Sequence, residues 1–261
     1  MLKINNLNFQ YQKNIQVLKD ISFTIDKPQM VVLLGQNGSG KTTLLKSILG
    51  LVKASGEIYL DEINFNTLKP NERAKYISYL PQQSIVEKLS VKDTLILGRL
   101  PYFNIIPSKE DMEIVDKKAN ELKINHLLNK DIDELSGGEL QLVLTAKVLI
   151  QDTPIIVFDE PTSSLDIKNE ILLLDIAKKM VEEHQKIIIA AIHDLTTAIN
   201  YGDYFILIKD GKILEQGNIS IITSENLSKI FDINLKITEI ENRKIVIVEE
   251  YNEKNNYSIN T

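Results

Sequence analysis

The chain has 261 residues, 43% of them apolar, which is enough for a full globular core and a further substructure beside it. Its 36 acidic residues outnumber 30 basic ones, and the net charge of −6 argues against broad electrostatic affinity for nucleic acid. The absence of cysteine excludes disulfides, thiol catalysis and thiolate metal sites, and no apolar run approaches the ~20 residues that a membrane helix needs. The opening Met1-Leu2-Lys3-Ile4-Asn5 lacks the apolar stretch of a secretory signal, so the reducing cytosol is the expected setting.

Short strands are expected through Leu2–Phe23, from the alternation of Leu2/Ile4 and Leu7/Phe9/Tyr11, and then of Leu18, Ile21, Phe23 and Ile25. Met30–Leu34 reads as a buried strand. It runs into Gly35-Gln36-Asn37-Gly38-Ser39-Gly40-Lys41-Thr42, which fits the pattern G-x-x-x-x-G-K-[ST]. A helix follows over Lys41–Leu51, with Leu44, Leu45, Ile48 and Leu49 at helical spacing. Gly56–Leu60, with a turn at Asp61-Glu62, extends the β-rich edge. From Ser90 to Leu135 the character is helical. Val91–Gly98 is one candidate, and a second opens at Ser108, whose spacing to Asp111 fits a capping box, with Met112, Val115, Ala119 and Leu122 along one face. Ser136-Gly137-Gly138-Glu139 precedes an apolar helix over Leu140–Ile150. Strand and helix then alternate: Ile155–Phe158, Glu170–Glu183, Ile187–Ala191 and Leu195–Tyr201. Tyr204–Lys209 and Lys212–Gln216 form a hairpin about Asp210-Gly211, and Leu235–Val248 adds a terminal one. Residues 249–261 are polar and Asn-rich and are expected to be disordered. The alternation implies an α/β protein with a largely parallel sheet covered on both faces.

The octet after Met30–Leu34 points to a nucleoside triphosphate. Its glycines let backbone N–H groups close around an anion, and the helix N-terminus adds the positive end of its dipole. Lys41 can then reach the β- and γ-phosphates, and the Thr42 hydroxyl can ligate Mg²⁺. Ile155–Phe158 delivers two carboxylates at a strand end, Asp159 to hold Mg²⁺ through water and Glu160 to orient or deprotonate the attacking water. Ser136-Gly137-Gly138 before a helix makes a second anion cradle. With only one Lys-Thr pair in the chain, that cradle is expected to close over the γ-phosphate of a second copy in a head-to-tail dimer.

With these motifs in order, the chain resembles the ATP-binding subunit of ABC transporters from Leu2 to about Val248, and Leu135–Glu139 resembles that family's signature sequence. The resemblance implies an α/β fold of ABC type: a RecA-like mixed-sheet core, an antiparallel β subdomain and an inserted helical subdomain. Residues 1–84 and 151–222 would form the core with the β subdomain, 85–150 the helical subdomain and 223–248 a C-terminal extension. Nucleotide contacts are implied for Tyr11, stacked on adenine, for the loop from Gly35 to Thr42 together with Thr43, and for Ser136, Gly137, Gly138, Glu139 and Asp166. Gln82 resembles the glutamine that touches Mg²⁺ and water, although its neighbour Gln83 leaves the register open by one. Ser164-Leu165-Asp166 looks like the loop that crosses the dimer interface, and His193 matches the histidine that contacts the γ-phosphate. Glu160, His193 and Gln82 are thus the implied catalytic residues, with Thr42, Gln82 and Asp159 around the metal. Pro28, Leu140, Leu142 and Lys147 depart from the family's common residues without touching a phosphate ligand.

Gly98-Arg99-Leu100-Pro101, with Leu80-Pro81-Gln82-Gln83, resembles the subset that serves importers of iron–siderophore complexes, haem or cobalamin. The implied partners are integral-membrane permease subunits, with a solute-binding protein outside, and the implied place is the cytoplasmic face of the membrane. Importers of zinc, manganese or other small solutes, and a soluble ABC ATPase of iron–sulfur cluster assembly, are the alternatives.

Overall fold

Continuous apolar runs in the central strands account for the architecture. The computed structural model describes residues 1–12, 15–82, 88–103, 105–162, 165–241 and 243–249; Gln83, Ser164 and the tail from residue 250 lie outside them. In chain order the strands are β1 (Leu2–Gln12), β2 (Ile15–Ile25), β3 (Met30–Leu34), β4 (Ser55–Leu60), β5 (Ile63–Asn64), β6 (Ile77–Leu80), β7 (Ile155–Asp159), β8 (Ile187–Ala191), β9 (Tyr204–Lys209), β10 (Lys212–Gly217), β11 (Leu235–Ile240) and β12 (Arg243–Val248). The helices are α1 (Lys41–Leu49), α2 (Pro70–Arg73), α3 (Val91–Ile96), α4 (Lys109–Glu121), α5 (Gly137–Ile150), α6 (Ile167–Glu182), α7 (Leu195–Tyr201) and α8 (Ser224–Phe231).

The six-stranded sheet has the order β10-β9-β3-β8-β7-β6, parallel except for the β9–β10 hairpin. Every residue of β3, β7 and β8 is buried, as expected of strands covered on both faces. Met30, Val32 and Leu34 face one apolar layer, shared with Leu174 and Ala177 of α6 and Leu227 of α8. Val31 and Leu33 face the other, shared with Leu44, Leu45 and Ile48 of α1 and with the antiparallel sheet β2-β1-β4-β5. The expected run of short strands at the N-terminus is instead two 11-residue strands whose pairing shifts register at several points. Those shifts supply the breaks in alternation that read as strand ends.

A third apolar cluster lies apart: Val91 and Leu95 of α3, Val115 and Ala119 of α4, and Val143, Ala146 and Ile150 of α5. The Ser108–Asp111 capping box opens α4 as the spacing predicts. Arg99 and Asp111, both buried, pair at 2.9 Å, and the Arg99 guanidinium also donates to the Ile150 carbonyl and lies over the Tyr102 ring. The helix predicted over Val91–Gly98 is α-helical to Ile96 and then tightens into a 3₁₀ turn, Leu97–Arg99.

Candidate functional site

β3 ends at the C-terminal edge of the parallel sheet, and the chain turns there into the loop Gly35–Gly40 and then α1. Gly40, the N-cap of α1, sits at φ 109°, a left-handed conformation that disfavours any residue with a Cβ. Lys41 is buried, and its ammonium donates to the Gly35 carbonyl at 2.8 Å and the Gln36 carbonyl at 3.1 Å. Burial pushes its pKa below the usual lysine value, against the pull of the Glu160 and Asp159 carboxylates. A lysine held this way gains from a phosphate, which supplies the negative charge that burial withholds.

β7 reaches the same edge two strands away and delivers Asp159, which is buried. The Thr42 hydroxyl donates to Asp159 Oδ1 at 3.0 Å, and the Tyr79 hydroxyl of β6 donates to Oδ2 at 3.2 Å. Burial first, then the charge and hydrogen bond of Asp159, hold the Tyr79 phenol protonated far above its ordinary value. Thr42 and Asp159 thus present hard oxygen ligands side by side, a donor set that suits Mg²⁺. Glu160 turns away from the strand at φ 49°, its N–H donating to the Ala191 carbonyl. Its carboxylate accepts from Gln82 Nε2 at 2.6 Å.

Lys41, Thr42, Gln82 and Glu160 border an open cleft of ≈ 440 Å³, which Tyr11, Val17, Asn37, Gly38, Gly40 and Thr43 also line. Tyr11 stands at its rim, 57% exposed, with its hydroxyl 3.4 Å from Thr43 Oγ1 and its ring edge-on to Phe9. Ser39 Oγ is buried without a hydrogen-bond partner among the described residues. The cleft therefore combines an aromatic ring, the glycine loop at the N-terminus of α1, one lysine and the Glu160 carboxylate, with Asp159 bonded to Thr42 at its edge, which suits a nucleoside triphosphate with a divalent cation.

Other expected site residues lie elsewhere. His193 is exposed just past β8, and Asp166 caps α6 by accepting from the Asn169 N–H; neither lines the cleft. Ser136, Gly137, Gly138 and Glu139 also lie outside it. The helix expected to begin at Leu140 begins at Gly137, so these residues form its cap and first turn. The Ser136 N–H and hydroxyl both donate to the Glu139 carboxylate, at 2.9 and 2.7 Å. Chiefly that hydroxyl, and then the N–H, hold the Glu139 carboxyl below its usual value. Gly138 packs close to α6: a Cβ there would sit 2.2 Å from the Asn169 amide, which would have to turn aside. Gln141, one turn on, donates to the Pro161 carbonyl at 3.0 Å, tying α5 to the segment that carries Glu160. Tyr79 and Gln141 escape the sequence reading. For Gln141 there was a signal, a lone polar residue between Leu140 and Leu142 on an apolar helix. For Tyr79 there was none, because its partner lies on a neighbouring strand 80 residues away.

Known proteins are similar to this chain in sequence and in fold. Residues 18–163 match the model of the ABC transporter family. The petrobactin import ATP-binding protein YclP of Bacillus subtilis is 35% identical over 248 residues, covering 94% of this chain and 98% of its own. An iron chelatin transport ATP-binding protein of Helicobacter pylori, so named as probable, is 34% identical over 252 residues, covering 94% and 98%. Among solved structures, an inward-facing one assigned to the metal-chelate type of ABC transporter superposes with a TM-score of 0.82 at 25% identity, covering 95% of this chain and 97% of the other. The dimeric ATP-binding cassette MJ0796, bound to ADP and phosphate, superposes with a TM-score of 0.74 at 28% identity, covering 84% and 99%. The chain belongs to the ABC transporter family, as an ATP-binding, ATP-hydrolysing subunit.

Proposed function

We propose that two copies of this chain, arranged head to tail, hydrolyse ATP·Mg²⁺ and so drive a membrane permease that imports a metal chelate: an iron–siderophore complex, haem or cobalamin. The observation that carries the catalytic half is the acidic end of β7, where Asp159 shares a hydrogen bond with Thr42 while Glu160 faces the cleft beside Gln82. Thr42 and Asp159 would hold Mg²⁺, with Gln82 beside them, and the ion when bound would neutralise charge on the phosphates. Glu160 orients and deprotonates water for in-line attack, and His193, brought up to the γ-phosphate, steadies it. Lys41 exchanges its carbonyl partners for phosphate oxygens, and Tyr11 stacks on adenine. Ser136, Gly137 and Gly138 of one copy close over the γ-phosphate held by the other, with Asp166 at the interface. Loss of the γ-phosphate removes that contact and releases the pair.

The cargo reading rests on relatives named for petrobactin and iron chelatin that align over nearly the whole chain. No helix among the described residues is long and apolar enough to cross a membrane. On this reading the subunit works at the cytoplasmic face through permease subunits, supplied with cargo by a solute-binding protein on the far side. Co-purification from membranes tests this. The chain should bring down a permease, and a metal chelate with its binding protein should stimulate ATP hydrolysis by the reconstituted complex. Stimulation by a free divalent metal instead would overturn the cargo assignment.

A further inference from the structure

Gln36, the first residue after Gly35 in the phosphate loop, is held from outside the loop. The last carbonyls of a helix lack intrahelical donors, and at the end of α8 two of them are met by side chains from elsewhere. Gln36 Nε2 donates to the Phe231 carbonyl at 2.7 Å, and Lys209 Nζ donates to the Lys229 carbonyl at 2.6 Å. Both side chains also reach the carboxylate of Asp232, Gln36 at 3.2 Å on Oδ2 and Lys209 on Oδ1. Asp232 ends the helix at φ 55°, which aims its side chain back across the turn. Lys209 closes β9, the parallel neighbour of β3. The Gln36 backbone faces the other way, its carbonyl accepting Lys41 Nζ and the Ser39 N–H, each at 3.1 Å. One loop residue thus joins the C-terminal extension to the lysine of the cleft.

We propose that Asp232, together with Lys209, is a positioning residue for ATP: the last turn of α8 clamps Gln36 and fixes the loop in its nucleotide-ready shape. The inference rests on reading residues 35–42 as the ATP phosphate loop. Lys41 must leave the Gly35 and Gln36 carbonyls to meet the phosphates, and a loop released at that moment has to be ordered again by the nucleotide. The clamp holds Gln36 through the exchange, so less affinity is spent on ordering.

The test uses the purified chain titrated with a fluorescent ATP analogue. Asp232→Gly keeps a left-handed helix end without the carboxylate, and Asp232→Asn keeps an acceptor for Gln36. Asp232→Gly should raise Kd about three- to tenfold, the size of one net hydrogen bond, with the nucleotide-free melting temperature little changed, and Asp232→Asn should recover most of the loss. Lys209→Met should weaken binding in the same direction with Asp232 in place. Gln36→Ala, which also loses the bond to the Phe231 carbonyl, should weaken binding at least as much as Asp232→Gly, and the double variant should be no worse than Gln36→Ala alone. Wild-type affinity in Asp232→Gly and Lys209→Met, additive losses in the double variant, or a lowered melting temperature with unchanged affinity would overturn the clamp. Lys41→Ala, run in parallel, separates the two readings. If it binds ATP normally, the phosphate-loop assignment fails. If it loses ATP while Asp232→Gly does not, only the clamp fails.

Discussion

Glu160 combines a positive φ with a carboxylate facing the cleft, and a non-glycine residue in that conformation costs on the order of 1–3 kcal/mol. The turn separates two adjacent acids: Asp159 stays buried in the strand against Thr42, while Glu160 swings out to Gln82. Glu160→Gln should therefore bind ATP normally but hydrolyse it at least ~10²-fold more slowly, the scale of a lost general base; a phosphate-release assay at saturating ATP reads this directly. The Tyr79 hydroxyl donates to the second oxygen of Asp159. Tyr79→Phe leaves Asp159 with one protein donor fewer and should raise the Mg²⁺ concentration for half-maximal hydrolysis about tenfold, with nucleotide binding in chelator unaffected. The acidic pair was legible in the sequence because four apolar residues lead straight into it. Tyr79 was not, since cross-strand neighbours depend on strand order, which a linear pattern does not carry.

At the level of elements, the α3–α4–α5 cluster includes the buried ion pair of Arg99 and Asp111. The Asp111 carboxyl lies below its ordinary range, first because of the Ser108 hydroxyl and further because of Arg99, with burial pushing the other way. A folded-state pKa below the unfolded one stabilises the fold above about pH 4, and that contribution disappears as pH falls through the depressed value. Asp111→Asn should flatten this acid limb, and by leaving Arg99 buried without its counter-charge should cost about 3 kcal/mol. Urea denaturation from pH 3 to 7 measures both effects. The same region shows what the pattern could and could not give. Ser108-x-x-Asp111 announced α4 correctly, because a capping box is local chemistry. The start of α5 was placed three residues late, because Gly137-Gly138 reads as a turn while the Ser136–Glu139 capping box winds both glycines into the helix.

Across the whole molecule, alternating strands and helices foretold a parallel sheet, and the burial of β3, β7 and β8 on both faces is why continuous apolar runs were sufficient to find it. The order β10-β9-β3-β8-β7-β6 was beyond reach, as was the link from the end of α8 to Gln36, because both bring together residues far apart in the chain. The proposed head-to-tail pair makes an assembly prediction. Ser136→Arg puts a bulky cation where a second copy's nucleotide would enter, so combined with Glu160→Gln it should stay monomeric in ATP by light scattering. The single Glu160→Gln variant should accumulate as a dimer, and both should bind ATP alike. The hydrogen bond from Gln141 to the Pro161 carbonyl then takes on a further meaning. It links the segment bearing Glu160 to the helix capped by Ser136, which in the proposed pair would serve the nucleotides of the two different protomers. In such a pair, firing at one catalytic centre would be wired, within a single polypeptide, to the grip on the opposite one, and the two turnovers would run as a conversation rather than as independent clocks.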